Sequence, residues 1–291
     1  MTAPRPSAAP VDAVPARPAG RGDPDQDALA GPVASSEPGE GVTRRSGESA
    51  RPGVRLLAGL AVGPLLRLAV ARYAVPPGSA DRAGCARCGA RIGLDRPLPA
   101  LGPAARCPGC RGRVGAPPGV VEAALVVALV VVALVDGSVG ERLTVAWWLA
   151  WAVPLALIDA AVHRLPDRLS YPAAAGTWAL LGLTALTSAG PAPWLRATVA
   201  GVGLALGFAA TTLLLGRRGF GLGDAKLALS VGALLGWYGW PVLVVGLVLT
   251  FTLSALTALA LLATRRARWS SHLPFGPFLI AGTTLTLLLT T

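Results

Sequence analysis

From residue 54 to the C-terminus the chain is a succession of apolar runs, and their length leaves few folds open. A helix crosses the hydrocarbon core of a bilayer with about 20 apolar residues. Within that core only helices and closed barrels satisfy their own backbone. The runs fall at 54–75, 118–135, 143–159, 171–188, 194–215, 226–240, 241–264 and 273–290. The stretch 226–264 is too long for one helix, and Gly236-Trp237-Tyr238-Gly239-Trp240-Pro241 breaks it with interfacial aromatics. The reading is an all-α integral membrane protein of about eight transmembrane helices. The count becomes seven or nine if that break or the short 143–159 run is read otherwise. Arg67 and Arg72 lie in the first run and must snorkel or face protein.

Residues 1–50 are unlike the rest. They hold five Arg against seven acids, are rich in Pro, Ala, Gly and Ser, and contain no apolar run. They read as a disordered tail without the apolar segment of a signal peptide. The net charge of +11 therefore becomes +13 over the remaining 241 residues. No basic stripe interleaves with aromatics, so nucleic acid is not an expected partner.

Arginine orients the set by the positive-inside rule. Loop 76–117 carries seven Arg, and loops 160–170, 216–225 and 265–272 carry two, two and three. The connections between them hold little more than Arg142, with Arg196 just inside a helix start. Four Arg-rich loops alternate with poor ones, which places the rich ones in the cytoplasm and residues 1–50 on the opposite side. The expected location is the inner (cell) membrane, multi-pass, with membrane lipid as a partner.

All four cysteines lie in the first loop, as Cys85-x2-Cys88 and Cys107-x2-Cys110, eighteen residues apart. That spacing suits a four-thiolate structural zinc site, with Gly89 and Gly112 after the pairs for tight turns. Two disulfides are the alternative, in an oxidising compartment. The domain reading is a tail at 1–50, a first span at 51–75, a cytoplasmic zinc-binding loop at 76–117 between helices 1 and 2, and a transmembrane domain at 118–291.

From residue 143 onward there are only three acids: Asp159, Asp167 and Asp224. Asp159 closes the third run and Asp224 precedes the sixth, at one membrane face. An ionisable side chain at a membrane edge marks function by default. Two facing carboxylates in a low-dielectric site titrate as a unit. One then activates water while the protonated one polarises a carbonyl. Asp224 sits in Gly219-x-Gly221-x-Gly223-Asp224-x-Lys226, where glycines permit close approach and φ > 0. Lys226 is the only lysine. The plainer readings are Asp224 as a helix N-cap, Asp159 as a solvated helix end, and Asp167 as a turn residue after Leu165-Pro166. His163 reads as interfacial and His272 as structural. No Ser/His/Asp or Cys/His set, H-E-x-x-H, Walker A or dinucleotide fingerprint is present.

At these residues the chain resembles the type IV prepilin peptidases, bacterial leader peptidases of the GxGD aspartic membrane protease class. Gly219-x-Gly221-x-Gly223-Asp224-x-Lys226-Leu227 is similar to the second catalytic motif of that family. Asp159 with Leu165-Pro166-Asp167-x-Leu169 and Pro172 is similar to the first. The paired cysteines, Gly59-Leu60-x-Val62-Gly63 with Arg72, and Leu273-Pro274-Phe275-Gly276-Pro277-Phe278 match further family features. The resemblance covers about 54–291. It implies that Asp159 and Asp224 are catalytic, with Lys226, Asp167, Gly221 and Gly223 in support. It implies a prepilin or pseudopilin substrate, cleaved at the cytoplasmic face after a Gly and before its hydrophobic helix. Lys226 either assists the pair or meets phosphate headgroups.

The resemblance also carries N-methylation of the new N-terminus by S-adenosylmethionine. The chain departs from the pattern in that half. Pro64 and Arg67 stand where Ser and Asn are usual, and Pro117-Pro118-Gly119 replaces an Arg-Tyr-Pro run before Val120-Val121-Glu122. An acid often found just after the first catalytic Asp is absent, with Ala161 its counterpart. The reading from another class is a multi-helix transporter or channel with a zinc-ribbon loop; a third is an inactive scaffold of pilus assembly.

Overall fold

The computed structural model describes residues 62–76, 78–94, 100–216, 220–266 and 273–290. All belong to one compact unit, Ser49–Thr291. The expected tail, the start of the first span with Gly59-Leu60, and Arg217, Arg218, Gly219, Arg268 and His272 lie outside the described residues.

Eight α-helices occur among the described residues: α1 Gly63–Tyr73, α2 Val120–Leu134, α3 Val139–Val162, α4 Asp167–Thr184, α5 Pro191–Leu215, α6 Leu222–Tyr238, α7 Trp240–Ala263 and α8 Gly276–Thr290. Strand pairing there is limited to two isolated bridges, so the all-helical expectation holds. Three helices, α3, α5 and α7, are long and apolar enough to cross a membrane by themselves, and α2 and α8 are shorter apolar helices.

Local chemistry sets the boundaries. Ser138 caps α3 in a reciprocal box with Glu141, whose Oε2 accepts the Ser138 N–H at 2.7 Å. The helix stops at His163, in the left-handed region at φ 52, whose N–H donates to the Asp159 carbonyl. Pro166 then precedes α4, so the connection is short and the two helices pack against each other. Gly239, at φ 142, separates α6 from α7, and Pro241 follows in the first turn of α7.

The interior is organised on α3 and α6, and their contacts run antiparallel. Near the start of α3, Glu141 Oε1 accepts the Trp237 indole N–H at 2.7 Å near the end of α6. Midway, the buried Trp148 N–H donates to Ser230 Oγ at 3.2 Å. By this register the end of α3 meets the start of α6, which brings Asp159 to Asp224. Helix α6 is buried along most of its length. Its Gly232 and Gly236 let α5 approach: a Cβ on Gly232 would lie 2.8 Å from the Ala200 carbonyl oxygen, and one on Gly236 2.4 Å from Ala200 Cβ. Small residues four apart are how membrane helices reach backbone contact.

Two arginines inside apolar runs, Arg67 and Arg196, find protein partners. Arg67 is fully buried, its Nη2 paired with Glu122 at 2.6 Å and its Nη1 donating to the Ala116 carbonyl. Arg72 faces outward. Arg196 donates from Nε to the Gly236 carbonyl at 2.7 Å and from Nη2 to Trp237, closing the end of α6.

Candidate active site

Asp159 occupies the last turn of α3 and is 5% exposed. A buried carboxylate needs a hydrogen bond. It receives one from the N–H of Gly276, the first residue of α8, at 3.0 Å to Oδ2. That N–H is one of the unsatisfied donors of a helix start, where an anion is favoured. The glycine is required by space, since a Cβ there would lie 2.7 Å from the same oxygen. Sequence reading treated Leu273–Phe278 only as a matched signature; the motif delivers this donor.

Asp224 is not an N-cap and does not precede its helix, as expected above. It lies in the first turn of α6, and its Oδ2 reaches back to accept the Gly221 N–H at 3.1 Å. Gly221 and Gly223 differ from expectation in φ, and close approach holds at Gly223. Gly221 has φ −70, and Gly223 is not among the positive-φ residues. Gly223 is a close-approach position: a Cβ would sit 3.1 Å from Leu165 Cβ, in the segment between α3 and α4.

Asp159 and Asp224 line one cleft of about 210 Å³, together with His163, Arg164, Leu165 and Lys226. The two carboxylates are near enough to repel each other. Each has one oxygen fixed by a backbone N–H from a different loop. Those two loops are bound to each other by aromatics: the Phe220 and Phe275 rings lie 4.7 Å apart, with Phe208 4.6 Å from Phe220.

Lys226 has a carboxylate outside the pair as its protein partner. It forms an ion pair with Asp167, the first residue of α4, and lies 5.4 Å over the Tyr171 ring. Arg168 pairs with Asp81 at 2.8 Å, tying the start of α4 to the cysteine-bearing segment.

That segment forms two knuckles of the same build. Cys85 N–H donates to the Ala90 carbonyl and Cys107 N–H to Gly112; Gly89 N–H returns to Cys85 and Arg111 N–H to Cys107. The turn residues are Gly89 at φ 69 and Arg111 at φ 56, so Arg111 holds the position expected of Gly112. Gly112 instead clears the Arg87 side chain, which a Cβ would meet at 2.7 Å. All four sulfurs lie within 4.8 Å of one another, with Cys85 to Cys110 and Cys88 to Cys107 at 3.6 Å. Those separations exceed a disulfide bond. They fit the edges of a tetrahedron with metal–sulfur bonds of about 2.3 Å. The Arg87 N–H reaches Cys85 Sγ at 3.5 Å and holds that thiol down, to about 6. A small core of Ala71, Cys85, Ala100, Cys107 and Val114 seats the knuckles on α1.

Residues 143–263 match the type IV leader peptidase family. The prepilin leader peptidase/N-methyltransferase of Pseudomonas putida is 34% identical over 210 residues, 68% of this chain and 69% of that protein. The protein of the same name from Aeromonas salmonicida is 32% identical over 213 residues, 69% of each chain. That of Pseudomonas aeruginosa is 31% identical over 215 residues, 68% of each. No solved structure matches the chain.

Proposed function

The chain belongs to the type IV leader peptidase family, and we propose that Asp159 and Asp224 are the pair with which it hydrolyses the leader bond of type IV prepilins or pseudopilins. The observation that carries the assignment is the shared cleft, in which one oxygen of each carboxylate is held by a backbone N–H. The pair shares a proton, because two close carboxylates do not both ionise easily. The ionised member takes a proton from a water molecule placed between them. The protonated member hydrogen-bonds the scissile carbonyl, and the amine leaves with a proton. The Gly276 and Gly221 donors keep the carboxylates from rotating out of register.

Eight membrane-spanning helices, with this cleft at the cytoplasmic face of the inner membrane, form the setting. The ion pairs Arg168–Asp81 and Lys226–Asp167 gather the Arg-rich segments at one end. Arg196 and Glu141 lie at the other. The relatives' names add N-methyltransfer, for which S-adenosylmethionine is the inferred second substrate. A transporter or channel is not favoured by the family match.

Membranes containing the chain, incubated with a prepilin from the same genome, are expected to shorten it to one product with a new N-terminus, read by mass spectrometry. An unshortened prepilin would refute the assignment.

Cys85, Cys88, Cys107 and Cys110 would hold a structural zinc ion. Four thiolates close the coordination shell, so the metal supplies folding energy to the loop and no Lewis acid to the cleft. Cys107→Ser is expected to lower bound zinc from about one ion per chain to below about a tenth. It would also expose 78–114 to protease. Full zinc retention, measured by plasma emission on purified protein, contradicts the site.

A further inference from the structure

The cleft that holds Asp159 and Asp224 shares Arg164 and Leu165 with a larger one of about 550 Å³. The larger cleft runs along the connection between α3 and α4 to Tyr73, at the end of α1, and Asp81. At the joint sits a charge with no partner among the described residues. Arg164 Nη1 is buried and makes no hydrogen bond, while Lys226 and Arg168 nearby are both committed to carboxylates. A buried guanidinium N–H left unpaired costs free energy unless a ligand accepts from it.

The groove leads from the α3–α4 connection toward the cysteine-bearing segment, reaching Ser79, Ala80 and Asp81. The part of the substrate beyond the membrane-embedded pilin helix, the leader, is what would lie along it. We propose that Arg164 is a subsite residue for the leader's last residue: its guanidinium donates to the carboxylate that hydrolysis leaves there. The inference rests on the assignment of Asp159 and Asp224 as the hydrolytic pair. Hydrolysis joins the water oxygen to the carbonyl carbon and breaks the C–N bond. Both water protons leave with the amine, so the leader ends in a new anion beside two aspartates. Among the described residues Arg164 is the unpaired guanidinium that lines the cleft, and its planar fork matches a carboxylate. It acts on product hold rather than on proton transfer.

The test uses two synthetic peptides of a processed leader, ending at the cleavage point with a free carboxylate or an amide. Each carries a fluorophore at its N-terminus, and binding to detergent-purified enzyme is measured directly. Wild type is expected to bind the carboxylate form about tenfold more tightly than the amide, the size of a charge-assisted hydrogen bond. In R164M and R164Q, two neutral variants that guard against one misfolding, the preference is expected to vanish while amide binding stays. In prepilin cleavage, inhibition by the carboxylate peptide is expected to weaken about tenfold in both. Equal binding of the two peptides by wild type, no binding of either, or a preference surviving in both variants overturns the inference. Prepilin processing by Asp159→Asn or Asp224→Asn would instead overturn the hydrolytic pair, so the two failures are told apart.

Discussion

Asp159→Asn is expected to stop prepilin shortening, with a rate at least 10³-fold below wild type, while the protein remains folded. Asn keeps an oxygen for the Gly276 N–H, so the hydrogen bond that seats the side chain survives. What is lost is the ionisable group. A neutral amide at a site only 5% exposed also removes the cost of burying a charge, so thermal unfolding in detergent should be unchanged or shifted upward. Asp224→Asn should behave alike, since the Gly221 contact also needs only an acceptor. Neither residue can substitute for the other, because the scheme needs one ionised and one protonated group at the same moment. Asp167→Asn is the control of the same chemistry at a different place. It removes the partner of Lys226 at an exposed ion pair, and a loss below about tenfold is expected. Rates for Asp159→Asn or Asp224→Asn within tenfold of wild type, in membranes with matched protein levels, would sink the pair.

The sequence made the helices legible, and the reason is physical. Apolar runs are set by the bilayer's thickness, and Gly, Pro and Arg punctuate them. The described residues hold a helix in every expected run, and apart from the first run, whose start lies outside them, the ends move by a few residues: α6 begins at Leu222 rather than 226, which puts Asp224 inside it. The carboxylates were legible because charge is rare in such segments. What was not legible is which sides of the helices meet. Helices apolar all round carry almost no periodic signal of a buried face. The pairings Trp148–Ser230 and Glu141–Trp237 that bring the two aspartates to one end are invisible to any local pattern. Gly232-x3-Gly236 was a readable signal of close packing and lay inside a run judged only by its length. Of the two reasons for the glycines beside Asp224, close approach holds at Gly223, against Leu165, and positive φ holds at neither Gly221 nor Gly223.

Gly276 is the position where that gap has the largest functional consequence. Gly276→Ala places a methyl 2.7 Å from Asp159 Oδ2 and 3.2 Å from its Cγ, inside contact distance. Either the carboxylate turns away or the start of α8 withdraws, and both lengthen the 3.0 Å hydrogen bond that aims it. A displacement of about 1 Å at a reacting group costs on the order of 10²-fold in rate. The fall should appear in kcat, with KM near wild type, because no described residue of α8 lines the leader groove. Gly207→Ala is the matched control: it lies on an exposed face of α5 with nothing within 4 Å, and its rate should stay within twofold. A further variant, Gly276→Ala with Asp159→Asn, should be no slower than Asp159→Asn alone, because the glycine acts only through that carboxylate. A single Gly276→Ala rate within twofold of wild type would remove α8 from the site and leave Asp159 positioned by α3 alone.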